Sequence, residues 1–183
     1  MISITKTTFV LTMLFSLFWS PMRLAENPKY PVPPKTFKRL FYIQRNHNEN
    51  TIVYDANFDK QGRLKSNNPV HVYWIRYQEH GQTMPLRTVE KMFAYGVKTT
   101  PIKGKPGEYK VDLVATDKRD FLLKQIAPFK AIIYTTIDGQ NAILDHIYIY
   151  ADNSGFWPKV KYVELFGINP KTKKNVYEKM ITE

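Results

Sequence analysis

From residue 37 onward the chain is a succession of short runs in which apolar and polar positions alternate, separated by clusters of turn formers. In Phe37–Arg45, Phe37, Phe41 and Ile43 fall on one side of an extended chain, and Lys38, Leu40, Tyr42 and Gln44 on the other. The polar stretch Asn46–Asn50 reads as a turn, Thr51–Phe58 as the next strand, and Asp59–Gly62 as a second turn. Ser66–Pro69 then leads into a strand over Val70–Gln78. Asp138-Gly139 is the strongest local signal. This two-residue hairpin loop requires positive φ at both positions and joins Phe129–Ile137 to Gln140–Tyr150. A two-residue turn there sets Thr135 opposite Ala142 and Ile133 opposite Leu144. Further strands are predicted at Phe93–Ile102, Tyr109–Ala115, Phe121–Gln125, Lys159–Phe166 and Val176–Ile181. One short helix is predicted from Leu86 to Phe93. Thr83 would cap it, Pro85 would lie in its first turn, and Leu86, Val89, Met92 and Phe93 would share a face. This pattern describes an all-β fold, a single antiparallel β-barrel or sandwich. Closure into a barrel would remove the exposed edges of an aromatic-rich sheet.

The first 36 residues follow a different pattern. Residues 1–25 carry Lys6, then an apolar run from Phe9 to Trp19 broken only by Thr12 and Ser16, and no acid. That run is as long as a signal-peptide core and shorter than the roughly 20 residues that cross a bilayer. It therefore reads as a signal peptide, which places the rest of the chain in the periplasm or outside the cell. Ala25 suits a cleavage site, but Arg23 stands where a small residue is preferred, so retention as an anchor remains an alternative. Residues 26–36 form a Pro-rich extended lead. Residues 37–183 are then a single β-domain, with no transmembrane domain in the mature form.

Composition narrows the chemistry. There is no cysteine, which excludes disulfides, a lipidated cysteine and thiolate catalysis. The 27 Lys and Arg against 16 Asp and Glu give +11; removing Lys6 and Arg23 with the leader leaves +9. Such a surface attracts an anionic envelope component, such as a phosphate-rich lipid or an acidic polysaccharide, rather than nucleic acid. The basic residues are spread along the chain, which also fits plain solubility. No Gly-x-Ser-x-Gly, phosphate loop or dinucleotide fingerprint occurs, and no cofactor is expected. His47, His71, His80 and His146 show no metal-type spacing, so no metal site is assigned.

Two stretches stand out as ligand-binding candidates. The first is Arg45-Asn-His-Asn-Glu-Asn50 with Tyr54, Asp55 and Asn57. Here Arg45 could hold an anion while Asn46, Asn50 and Asn57 orient a sugar or amide; the same residues are also ordinary turn formers. The second is Trp74 and Arg76, on the same strand face as Val70 and Val72, able to stack as a plug or to line a cavity. Tyr73 and His146 complete the candidates.

The runs Leu40-Phe-Tyr-Ile-Gln-Arg-Asn46, Asn50-Thr-Ile-Val-Tyr-Asp-Ala-Asn57, Pro69-Val-His-Val-Tyr-Trp-Ile-Arg-Tyr77, Ala94-Tyr-Gly96 and Tyr162-Val-Glu-Leu-Phe-Gly167 together resemble an uncharacterised, mainly bacterial family, the domain of unknown function 4833. The resemblance spans residues 37–169. It implies an exported single domain and transfers no catalytic residues. The strand count is also similar to that of calycin-type barrels such as lipocalins, although their Gly-x-Trp near the first strand is missing here. The expected function is non-enzymatic binding of a small or lipid-like ligand or of an anionic envelope component. The alternatives are a structural module of an envelope complex, and an envelope hydrolase using His47 or His146 with Asp55 or Asp145.

Overall fold

Strands dominate wherever the alternation predicts them. The computed structural model describes residues 30–114, 116–155 and 158–182; the predicted signal peptide at 1–25 lies outside them. The elements are β1 (Arg39–Arg45), β2 (Asn48–Ala56), β3 (Val70–Arg76), β4 (Gln82–Pro85), α1 (Thr88–Phe93), β5 (Val97–Pro101), β6 (Glu108–Leu113), β7 (Thr116–Ala127), β8 (Lys130–Ile137), β9 (Gln140–Asp152), β10 (Lys159–Ile168) and β11 (Asn175–Ile181). Nine strands run in the order β4-β3-β2-β1-β9-β8-β7-β6-β5, and β10 with β11 extends from β9. The sheet curls into a half-barrel whose path ends at β4 and β5.

The all-β expectation holds, with one change of direction. Every pairing is antiparallel except β1 with β9, which is parallel from Tyr42↔His146 to Arg45↔Ile149. Strand β9 is the fork of the sheet. Its first residues pair with β8, its later ones with β1, and β10 runs along its opposite edge. On β10, Phe166 faces His146 while Gly167 faces Leu144, so Asp145 is an inserted residue. The bulge shifts the phase of β9. Ala142 and Leu144 point into the core before it, and Ile147 does so after it.

The Asp138-Gly139 hairpin forms as predicted. Its φ values are 48° and 69°, and Thr135 lies opposite Ala142. The helix differs from expectation. Thr83 and Pro85 belong to β4, where Tyr73↔Pro85 and Ile75↔Thr83 pair along the edge of β3. The α1 start is instead held by Glu90, whose carboxylate accepts the Arg87 N–H at 2.8 Å and the Arg87 guanidinium at 2.9 Å. The strand expected through Gln78 stops at Arg76, where a 3-10 turn over Tyr77–Glu79 follows. Part of the Pro-rich lead is fastened to the domain: the Tyr30 hydroxyl donates to the Asn46 carbonyl at 2.8 Å, and Gln44 Nε2 donates to the Pro31 carbonyl at 3.0 Å.

The concave side is filled by Ile52, Tyr54, Val111, Leu123, Ile133 and Ile137, all fully buried. Behind β1–β3, a smaller cluster forms around Tyr42, Val53 and Ile75. One ion pair ties the far side together. Arg119 forks onto Glu178, with Nη2 to Oε1 at 2.5 Å and Nη1 to Oε2 at 3.1 Å; it also donates to the Thr136 carbonyl. Glu178 Oε2 accepts the Asp138 N–H at 2.7 Å. Burial pushes the Glu178 carboxyl up, but hydrogen bonds from Arg119 and Asp138 outweigh it and hold it below the usual range. A depressed carboxyl contributes stability that is present above its unfolded value of about 4.3 and lost as pH falls through its folded value. Glu178→Gln should therefore cost about 1–2 kcal/mol at pH 7. The gap to wild type should close as unfolding midpoints are measured from about pH 5 down to about pH 3.

Candidate functional site

The sites begin with where each strand face points. On β3, Trp74 turns toward the concave side; the adjacent Tyr73 packs with the smaller cluster behind the sheet. Arg45 closes β1, and its guanidinium lies 5.0 Å from the Trp74 ring centroid and 5.4 Å from that of Tyr95. Its Nη1 donates to the Tyr95 hydroxyl at 2.7 Å and its Nη2 to Asn48 Oδ1 at 3.3 Å. Tyr95 meets Trp74 edge-on at 5.4 Å and is held from beneath by Tyr54, whose hydroxyl donates to the Tyr95 carbonyl at 2.9 Å. Burial, then the neighbouring Tyr95, pushes the Tyr54 hydroxyl well above its ordinary pKa, so it stays a donor. Arg76 approaches the same indole at 5.9 Å and pairs with Glu79 at 2.8 Å.

Helix α1 covers this group. Trp74 Nε1 donates to Glu90 Oε2 at 3.1 Å, and the same carboxylate accepts the Arg87 N–H at 2.8 Å. Burial raises the Glu90 carboxyl, while these bonds and the Arg87 side chain lower it further, with a net downward shift. Two features remain uncompensated at this rim. No carboxylate among the described residues lies within 4.0 Å of the Arg45 guanidinium. The Nε–H groups of Arg45 and Arg76 are buried without an acceptor among the described residues. His47, in the adjoining turn, is shifted down by burial and by the Arg45 charge, and is neutral at pH 7.

The other candidates are dispersed. Asn46 pairs both ways with the backbone of Ala151, donating and accepting at 2.9 Å, and so continues the β1–β9 ladder. Asn50 latches Gln78, accepting its N–H at 3.2 Å. Asn57 lies on the wall of an open cleft of about 820 Å³ that includes Arg63, Lys65, Asn68 and Tyr109. Tyr73 lines a second cleft of about 420 Å³ with His71 and Asp55, and donates to Asp55 Oδ2 at 3.0 Å; Arg39 holds the other oxygen at 2.8 Å.

His146 sits on the outer face of the sheet. It is stacked between Tyr42 at 4.9 Å and Phe166 at 4.2 Å, and Phe166 continues to Tyr177 at 5.1 Å. Because Asp145 is the bulged residue, it shares the outer face with His146, and its Oδ2 lies 2.7 Å from Nδ1. The faces of the His146 ring are taken by its neighbours, which makes this row a cross-strand ladder rather than an open stacking platform. Asn48, within the candidate stretch Arg45–Asn50, belongs to the rim; so do Glu90 and Tyr95, which were not among the candidates. The Arg87-x-x-Glu90 spacing and the Ala94-Tyr-Gly96 run were their only signals.

The fold and this rim define a class: an all-β half-barrel with an arginine–aromatic cluster at its edge under a short helix. Residues 41–179 match the family model for the domain of unknown function 4833 (DUF4833), and the chain belongs to that family. Neither curated proteins nor solved structures gave a match.

Proposed function

We propose that the protein is an exported, non-enzymatic binding domain whose rim site holds an anionic group. That group would be a phosphate or carboxylate of a small or lipid-like ligand, or of an envelope component. The observation that carries this reading is Arg45. It is partly buried against two aromatic rings, and among the described residues its charge is not met by a carboxylate and one of its N–H groups has no acceptor. A buried unpaired donor costs about 1–3 kcal/mol, which an incoming oxyanion would offset. The packed concave side favours a ligand at the rim over one in a lumen. The apolar leader and the excess of basic residues support an envelope setting.

The test is calorimetric titration of the full chain with inorganic pyrophosphate. Arg45→Gln is expected to weaken binding by at least about tenfold. Arg45→Lys should restore little of it, because an ammonium lacks the planar fork that stacks on Trp74 and Tyr95. Absence of wild-type binding, or equal affinity in Arg45→Gln, would refute the rim site.

A further inference from the structure

The α1 helix is amphipathic in the wrong sense for a soluble protein. Surface helices bury their apolar stripe and expose their polar one. Here the residue directed inward is Glu90, bonded to Trp74 and to the helix start. Val89, Met92 and Phe93 stand at i, i+3 and i+4 and are 67%, 60% and 71% exposed. No α1 residue is buried. Met84, the β4 residue paired with Trp74, is a further apolar side chain left partly exposed. Burial within the fold accounts for none of these positions, and clustered apolar side chains on a surface mark a contact with something outside the chain.

We propose that α1 is a membrane-docking element which seats Val89, Met92 and Phe93 in the interface of an anionic bilayer. Two features select a lipid surface over a protein partner. The first is charge complementarity. Lys91 on the helix and Arg87 at its cap flank the apolar residues, Glu90 offsets one of these two charges through its pair with Arg87, and the whole chain carries +11. A short helix with apolar residues on one side and basic residues at the flanks suits the headgroup boundary. The second is position. Arg45, which has no carboxylate partner among the described residues, lies over the Trp74 ring, and Trp74 is bonded to α1, so a bilayer that receives α1 brings its phosphates to the rim. The proposal thus rests on the rim-anion reading and names the source of the anion as a lipid headgroup.

The chain has no cysteine, so a single introduced one can be labelled uniquely. Phe93→Cys carrying an environment-sensitive nitrobenzoxadiazole dye reports α1 alone, whatever the N-terminal segment does at the bilayer. Ile181→Cys, at an equally exposed position on β11, serves as the control. On vesicles of phosphatidylglycerol and phosphatidylcholine the dye at 93 is expected to brighten severalfold and shift to the blue, with little change on phosphatidylcholine alone. The dye at 181 is expected to stay unchanged on both. Adding Lys91→Glu should raise the phosphatidylglycerol needed for half the response by about fivefold or more. A dye at 93 that remains in water on every vesicle overturns the docking, and would leave α1 as a protein-docking face. An equal response at 181, or on phosphatidylcholine alone, overturns it too. Pyrophosphate titration decides the rim reading separately: binding that depends on Arg45 with a silent dye at 93 would mean a soluble anion rather than a lipid.

Discussion

Replacing Phe41 by alanine is expected to lower the unfolding free energy by about 3–5 kcal/mol, read from guanidinium denaturation. Phe41 is 1% exposed, and its ring stacks on Tyr54 at 4.2 Å with the planes 8° apart. Both rings lie in the main core, so truncation forfeits the transfer energy of the ring and leaves a void lined by side chains that cannot collapse into it. The effect should also reach the rim. Tyr54 holds Tyr95 through its carbonyl, and Tyr95 holds Arg45 through its hydroxyl. Phe41→Ala should therefore weaken pyrophosphate binding as well, whereas Phe41→Leu should cost less of both. A variant that unfolds like wild type would show that the Phe41–Tyr54 stack is not a support of the core.

The second large effect is at Gly167. Glycine weakens an ordinary strand, and alanine in its place would be a mild gain. At Gly167 the sign reverses. A Cβ there would lie 2.6 Å from the Ile143 carbonyl oxygen, 2.7 Å from Ile137 Cδ1 and 3.3 Å from Ala142 Cβ. The nearest obstacle is backbone, in the stretch of β9 that pairs with both β8 and β10, so it cannot swing aside. Gly167→Ala should cost about 2–3 kcal/mol, measured as the shift in denaturation midpoint at unchanged slope. Unchanged or raised stability would mean that the register at the fork slides freely.

Locally determined features were legible in the sequence. Positive φ at Asp138 and Gly139 follows from residue type alone, and the period-two pattern put Trp74 and Arg76 on one face. Features decided by distant partners were not. Thr83 and Pro85 suit a helix start, yet the open edge of β3 recruits them as a strand. Alternation in Gln140–Tyr150 gives no hint that Asp145 is inserted, because the bulge is imposed by Phe166 and Gly167 opposite it. Arg45 was visible as an anion candidate. Its stack on Tyr95, 50 residues away, depends on where α1 leaves the chain, which no local rule specifies. Asn46 and Asn50 show the converse: of these short polar side chains that look like ligands to a sugar, Asn46 extends the β1–β9 ladder and Asn50 ties down the 3-10 turn at Gln78.

The parallel pairing of β1 with β9 also sets an order of events. Asn46 bonds to Ala151, 105 residues further along. Loop closure over that span is entropically costly, and such non-local contacts slow folding. Because synthesis proceeds from the N-terminus, β1, β2 and β3 exist for some time before β9 does, and β1 waits with an open edge. The hairpin of β8 and β9 closes locally over the two-residue Asp138-Gly139 turn and can then capture that edge. The join of β1 to β9 would then unite two separately formed leaves of the sheet.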